Sequence, residues 1–547
     1  MSESVPLLRS SSVTSRRRKC YPSSYRFQFI HSKGALLVLF WDVMISIAQN
    51  LIVDIFGYSF ILNNFYFFVA LGVSLVCIIS GYVGDFLVSR YRLILVGSYI
   101  TFILLIPVII ISKCLPSYTY IQYLLLPFHT ITLITLTVAR VNLLPFNIDQ
   151  LIGSSSGELT AIIHWHNMGP AISSLIADRT NLFYITQTNV IAIIFMLTAV
   201  CIICVGAVLV IHSLFNHYLD TTPVNTVNPV KLIVRVLCYA RKHKYPENRS
   251  ALTYWEEEAP SRLDLGKDKY GGPFTEEEVE DVKTVLRLIP LVIVCTVVSG
   301  LYYEYTLGLK LEVYGCTSPD KIALFLFVPY ILIIFLHQFL IYPCFHKYIP
   351  SMLKRIGMGL VLIVLLNILY TGLSVIGNYH FGQMFNCLTY FDESSYSIYP
   401  HQWMLFSNII ISVIWYIVYI VLVEFILAQC PKSMRGTIIG LWFCIWNLRA
   451  FIEYPLFLPF LHYVSPEVPL GRGFYYLLTK TIFTSICLII FLFLAKRYKL
   501  RVREVEINIH HIAENHTINN IEQEEHHRRN YAIESSSEST DAIIIDY

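Results

Sequence analysis

Apolar residues run through this chain in unbroken blocks, without the alternation of a half-buried strand. The blocks lie near 34–57, 64–84, 93–113, 118–146, 158–177, 188–214, 284–308, 321–343, 356–377, 402–428, 435–461 and 474–496. Each is about the length that a helix needs to cross a hydrocarbon core of about 30 Å. Continuous runs argue against a transmembrane barrel, whose strands alternate outward and inward residues. The pattern predicts an all-α polytopic membrane protein with twelve spans.

The polar stretches set the organisation. Residues 1–33 are Ser- and Arg-rich with no apolar core of a signal peptide and read as a cytosolic tail. A first helical group is expected over 34–214, a long linker over 215–283, a second group over 284–497 and a disordered tail over 498–547. Lys and Arg concentrate in "RRRK", "SRYR", "HKYIPSMLKR", "PKSMRG" and "KRYKLRVRE", which places these segments and both termini in the cytosol. Within the linker, "VKLIVRVLCYARKHK" is amphipathic and basic, as expected of a segment lying along the membrane face. Thr275 and Glu278 have the spacing of a capping box that opens the next helix.

Composition agrees, with 55% hydrophobic and 14% charged residues among 547. The thirteen cysteines show no metal-type spacing, and most lie inside apolar runs as small core residues. Cys114, Cys316 and Cys387 fall in polar breaks on one side, where a pairing among them is an open alternative. No nucleophile elbow, zinc spacing or phosphate loop is present, so neither enzyme, metal nor cofactor is expected. Nothing in the pattern points to nucleic acid as a partner.

Six helices, a long linker and six more is the layout of the major facilitator fold, two six-helix bundles related by an axis along the membrane normal. Gly81, Gly84, Asp85 and Arg90 in "GYVGDFLVSRYR" resemble the cytoplasmic gate motif of that superfamily, and the matching loop of the second half is basic around Lys354 and Arg355.

Ionisable groups inside spans are costly and mark function by default. Asp42, Asp54, Arg140, Glu304, Glu424, Arg449 and Glu453 form that set, with His164 and His166 near the cytosolic start of span five, read as hydrogen-bonded surface or gate residues. Arg449 and Glu453 are four apart on one helix and are expected to neutralise each other, with gating the alternative. Lys432 and Arg435 after span ten suit the helix dipole and the anionic inner leaflet. Glu424 has no cation nearby in sequence.

Several of these stretches resemble the proton-coupled oligopeptide transporters of the major facilitator superfamily. "EFILAQCPKSMRG" is similar to the family's tenth-helix segment, and "ARVNLLPFNIDQ" to the end of its fourth, with Arg140 on the family's Lys. "HNMGPAISS" places Asn167 on the helix-five Asn-x-Gly stretch. The resemblance implies a central cavity between the halves, with Glu424 on a peptide's ammonium, Arg140 on its carboxylate and Asn167 nearby. Trp442 and Trp446, one turn apart, are further cavity-lining candidates. Glu304 falls near an acidic position linked to proton coupling and closure, and Asp85 with Arg90 would gate.

There are departures as well. "YRFQFIHSKGALLVLF" keeps Arg26, Phe27, Phe29 and Lys33 of the helix-one signature but lacks its two acids, so the usual proton route is incomplete and Asp42 is the substitute within reach. The expected function is secondary transport of small peptides or related zwitterions by alternating access, with protons as the coupling ion. The alternatives are an uncoupled facilitator of another amino acid or organic anion, and a non-transporting sensor that kept the fold. The bilayer is the obligatory environment, with the plasma membrane as default. "ESVPLL", with Glu3, Leu7 and Leu8, matches a dileucine signal for sorting adaptors and gives the endosomal or lysosomal membrane as alternative.

Overall fold

Hydrocarbon offers no partner to backbone N–H and C=O groups, so apolar blocks of this length satisfy them internally as helix. The computed structural model folds them in that way, and it describes residues 30, 32–58, 60–114, 118–151, 156–185, 190–221, 228–243, 261–300, 319–345, 348–379, 385–386, 396–397, 401–463 and 474–500. The first half comprises α1 (Lys33–Tyr58), α2 (Phe60–Phe86), α3 (Arg90–Cys114), α4 (Tyr118–Asp149), α5 (Ser156–Ile185) and α6 (Val190–Phe215). The linker contributes α7 (Pro229–Lys242).

The second half begins with α8 (Glu276–Gly300). Next comes α9, helical over Pro319–Leu336, with a π turn at His337–Ile341 and a last turn at Tyr342–Phe345. After α10 (Met352–Tyr379), a short antiparallel pair joins Phe385–Asn386 to Tyr396–Ser397. The helix α11 follows as His401–Ile414, a π turn at Trp415–Ile420, and Val421–Gln429. Last are α12 (Arg435–Phe457) and α13 (Phe474–Arg497).

Among the described residues, nine helices are long and apolar enough to cross a membrane: α1 to α4, α6, α9 to α11 and α13. The chain is a multi-pass membrane protein. The remaining long helices, α5, α8 and α12, span 30, 25 and 23 residues. They are not among those nine, where twelve spans were expected. Polar groups break up the first two: Glu158, His164, His166 and Asn167 in α5, and Glu276 to Glu278 at the start of α8.

Packing within each half is set by small and branched residues on one helix face, since lipid removes any hydrophobic drive between helices. The buried face of α1 steps through Val38, Trp41, Ile45, Ala48, Ile52 and Ile55, the spacing of one helical stripe. With it α1 contacts α4, α5 and α6, while α3 packs on α4 and α6. In the second half α10 packs on α13, and α9 on α11. Two long seams join the halves, α2 with α12 and α5 with α9. Ile79, Ile103, Ile203 and Phe493 project outward, as a lipid-facing surface requires.

The linker is anchored at both ends. Asn228 caps α7 by accepting from the Lys231 N–H, and Pro229 sits where its missing N–H costs nothing. Leu232 and Val236 are buried while Lys231, Arg235, Arg241 and Lys242 stay exposed, so α7 is amphipathic as its sequence predicts. The Thr275 hydroxyl accepts from the Glu278 N–H at 3.2 Å, and Glu278 returns the bond at 3.0 Å, completing the predicted capping box.

Beside it, Lys267 and Lys283 meet Asp264 and Glu280 in one ionic cluster. Burial alone would raise the Asp264 carboxyl, but bonds from Lys283, Ser261 and Lys267 outweigh it and hold the group well below the usual carboxylate range. Burial likewise opposes the charge on Lys267, yet Glu280, Glu276 and Asp264 hold it above the ordinary lysine range. A depressed acid contributes stability above its unfolded value near 4, lost as pH falls through the folded one. A raised lysine contributes below its unfolded value near 10, lost as pH rises through the folded one. Hydrogen-exchange protection of 261–283 is therefore expected to be flat between about pH 5 and pH 9 and to fall in Asp264→Ala. A protection step inside that window would contradict the ionic anchoring.

Expectations on Glu304, Cys316, Cys387, Arg26, Phe27, Phe29 and the Glu3–Leu8 segment lie outside the described residues, as do the side chains of Cys114, Arg449 and Glu453. Cys77, Cys201, Cys204, Cys295 and Cys487 are buried free thiols, as their apolar surroundings predict.

Candidate functional site

At the end of the bundle where α2 turns into α3, the helices are tied first within, then between, the halves. A short turn after α2 brings Asp85 to Arg90 at the start of α3, and the Arg90 guanidinium bridges Asp85 and Asp149 at the end of α4. All three are buried. The Asp85 carboxylate also reaches the other half, where it accepts from the backbone N–H groups of Gly436 at 3.0 Å and Thr437 at 2.7 Å, and from the Thr437 hydroxyl at 2.8 Å. These are the unpaired donors of the first turn of α12, at the positive end of its dipole, so a carboxylate from one half caps a helix of the other. Arg435 completes the interlock by donating to Asp149 at 3.3 Å.

That approach needs glycine on both helices. A Cβ on Gly81 would lie 2.1 Å from the Gly436 carbonyl oxygen, and one on Gly436 would lie 2.6 Å from Asp85 Oδ1. In Gly81→Val, α2 and α12 must part, so trypsin cleavage at the loops beside Asp85 in the membrane-embedded protein is expected to rise at least tenfold. Unchanged cleavage would contradict the seal.

The opening of α12 thus has a second use beyond matching the dipole and leaflet. Asp149, Arg435 and Thr437 carry the interlock. Arg435 was legible only as a base after a helix end, and nothing local marks Thr437 as a donor to a residue far off in sequence.

Glu424 is buried, and its partner is Arg355 of α10, at 3.5 Å. A base at the start of the third helix of a half thus meets an acid near the C-terminal end of the fourth, in the second half as in the first, where Arg90 meets Asp149. Lys432 is exposed.

Between the halves lies a cavity of about 90 Å³. Its first-half wall is Gln49, Cys77, Thr137, Arg140 and Val141, and its second-half wall is Tyr419, Phe443, Trp446 and Asn447. Arg140 donates to Gln49 Oε1 at 3.0 Å, and Gln49 donates to the Thr137 hydroxyl at 3.3 Å, which fixes the guanidinium from behind. The Phe443 ring lies 5.9 Å from the guanidinium carbon, within cation–π range. Tyr419 and Trp446 meet edge to face at 5.0 Å on the opposite wall.

Of the residues expected at the cavity, Arg140 and Trp446 line it. Trp442 packs behind, with its ring 4.9 Å from Tyr419. Asn167 bonds back to the Ile163 carbonyl at 2.6 Å and lies elsewhere in α5, while its own carbonyl accepts from Tyr330 of α9. Glu424 is not among the lining residues, and among the described residues the lining contains no carboxylate.

Asp42 of α1 is fully buried, with His166 Nε2 of α5 at 3.5 Å from its carboxylate. A Cβ on Gly169 would strike Asp42 Oδ2 at 2.3 Å, so α1 and α5 are packed closely around that acid. His164 is buried as well, bonded to the Thr160 carbonyl at 2.7 Å, and so is no surface residue.

Comparison with known proteins fits this architecture. The model of the POT family (PTR2) matches residues 174–463, more than half of the chain. The crystal structure of the POT family transporter PepTSo superposes with a TM-score of 0.59 at 13% identity, covering 85% of this chain and 98% of that one. An auto-inhibited POT family peptide transporter gives 0.56 at 14% identity, with 86% and 98% covered. A POT family transporter in complex with 5-aminolevulinic acid gives 0.52 at 14%, with 86% and 98% covered. The helices therefore adopt the major facilitator fold of those structures, and the chain belongs to the POT family of membrane transporters.

Proposed function

We propose that this protein moves small peptides or related zwitterionic solutes across a membrane by alternating access, with protons as the coupling ion. The observation that carries the reading is the Arg140 cavity between two halves whose inner ends are locked by Asp85 and Arg435. A guanidinium held by Gln49 presents further donors in a planar fork, the geometry that grips a carboxylate. An ammonium end would rest against the faces of Tyr419 and Trp446 by cation–π attraction. Glu304 remains the expected acid for proton coupling, and Asp42 with His166 offers a second protonatable pair. Glu424, paired with Arg355, serves the inner clamp of the second half.

The lysine and arginine pattern supports cytosolic termini and a cytosolic seal, with the plasma membrane as site and the endosomal or lysosomal membrane as alternative. The helical groups 34–214 and 284–497, joined by 215–283, are the moving bodies. A POT family transporter in complex with 5-aminolevulinic acid and another in complex with a thioalcohol-conjugated peptide support the substrate class.

A lining without a carboxylate among the described residues favours a second reading, a carrier of simple organic anions. Thermal-shift titration of the purified protein separates the two. A dipeptide is expected to raise Tm, and capping its C-terminus as an amide to abolish the rise. At a hundred times Kd the stabilisation would be about 2.7 kcal/mol. A rise retained by the amide would overturn the role of Arg140, and equal response to short monocarboxylates would select the anion reading.

A further inference from the structure

Where α5 meets α9, the contact between the halves is itself a pair of imidazoles. His164 of the first half and His337 of the second stack with ring centroids 4.6 Å apart and planes 7° from parallel. Both are buried. Each lies about eight residues from the inner end of its helix, roughly 12 Å into the membrane at 1.5 Å per residue. This is the side of the Asp85 interlock, between it and the helix centres.

The backbone is shaped around this pair. His337 opens the π turn of α9, and Tyr416, which faces both rings, sits in the π turn of α11. Such turns insert a residue and redirect side chains, and they concentrate at functional sites. Both π turns among the described residues thus aim at one contact.

Polar bookkeeping at the pair is incomplete. His164 Nδ1 donates to the Thr160 carbonyl, which leaves Nε2 as acceptor towards the Tyr416 hydroxyl at 3.4 Å. His337 Nδ1 and Nε2 are both buried and have no hydrogen-bond partner among the described residues. The neighbouring groups are Tyr416 of α11, Tyr342 further along α9 and Arg355 of α10, which is itself paired with Glu424 of α11. Arg355 brings a positive charge beside the pair.

We propose that the His164–His337 stack is a proton-binding site that couples protonation to separation of the two halves. While the stack is closed, a protonated His337 would hold two N–H donors with no acceptor, against a second imidazole and beside Arg355. Parting of α5 and α9 lets water reach both rings and removes that conflict. The parted state therefore binds protons more tightly, and acid populates it. A tenfold difference in proton affinity between the two states shifts their ratio up to tenfold for each proton bound. The Asp42–His166 pair differs, because α1 and α5 belong to one half and move together.

The proposal takes from the transport reading only that the halves separate, so it is tested without any solute. Spin labels at Leu87→Cys and Tyr348→Cys, exposed positions on the inner faces of the two halves, report the spacing in full-length protein in nanodiscs, with the exposed Cys238 and Cys344 replaced by Ser. Between pH 8 and pH 5 the long-distance population is expected to grow at least fivefold. In His164→Phe/His337→Phe, which keeps two stacked rings and loses every ring nitrogen, the growth is expected to fall below twofold. If that variant does not fold, His337→Phe alone carries the same expectation. No response to pH in the parent, or a full response in the folded variant, overturns the proposal. Failure of peptide binding in the thermal-shift titration would leave this result standing, so the two readings fail separately.

Discussion

Arg140→Gln is expected to lower kcat/KM for dipeptide uptake by at least about a hundredfold with the fold intact. The residue lines the cavity, and its one hydrogen bond among the described residues runs to Gln49. Removing it therefore leaves the helix packing in place. What is lost is the grip on the substrate carboxylate. A charge-assisted hydrogen bond contributes about 1.5–3 kcal/mol, and a bidentate pair forms two. Even 3 kcal/mol corresponds to about a hundredfold, at 1.4 kcal/mol for each factor of ten. Arg140→Lys keeps the charge but not the fork, and an intermediate loss is expected. Initial-rate uptake into proteoliposomes checks both variants, and near-normal uptake by Arg140→Gln would exclude the residue from the substrate site.

The second large effect is at the seal. Asp85→Ala removes the acceptor for the Gly436 and Thr437 amides and leaves Arg90 buried with Asp149 alone. Breaking a buried ion pair by deleting one partner costs about 3–5 kcal/mol. That cost falls on the sealed state, because the groups regain water when the halves part. The ratio of sealed to open protein is then expected to fall by about two to three and a half orders of magnitude. Cys77 reports it: the thiol is buried on the cavity wall and is covered while α2 and α12 are in contact. Its alkylation by maleimide added at the face that carries the Asp85 seal, located by mass spectrometry, is expected to accelerate at least about a hundredfold in Asp85→Ala. An unchanged rate in a folded variant would contradict the seal.

Much of the fold is written in the apolar blocks, because span length is fixed by the bilayer and backbone satisfaction fixes the helix. The blocks behind α1 to α4, α6, α9 to α11 and α13 needed no further information. In α5 the interleaved Glu158, His164 and His166 lower the apolarity, and the sequence reads those histidines as lying at the surface or a gate. Their burial is a tertiary fact, set by how α1 and α9 close over them. The π turns at His337 and Trp415 leave no periodic trace, so the residues they turn inward were invisible. The Asp85–Arg90 motif was legible because both members sit in one short turn. Its donors on Gly436 and Thr437 were not, since backbone N–H groups carry no sequence signature. Arg140 was located through its resemblance to a family position, and its Gln49 partner and aromatic wall emerged only when α1, α11 and α12 met around it.

Uptake of a radiolabelled dipeptide into proteoliposomes, under inward and outward pH gradients of equal size, tests transport most directly. Saturable uptake that accumulates peptide when the outside is acidic and collapses when the gradient is reversed is the predicted result. Absence of uptake of any small peptide by folded protein, under either gradient, would contradict it.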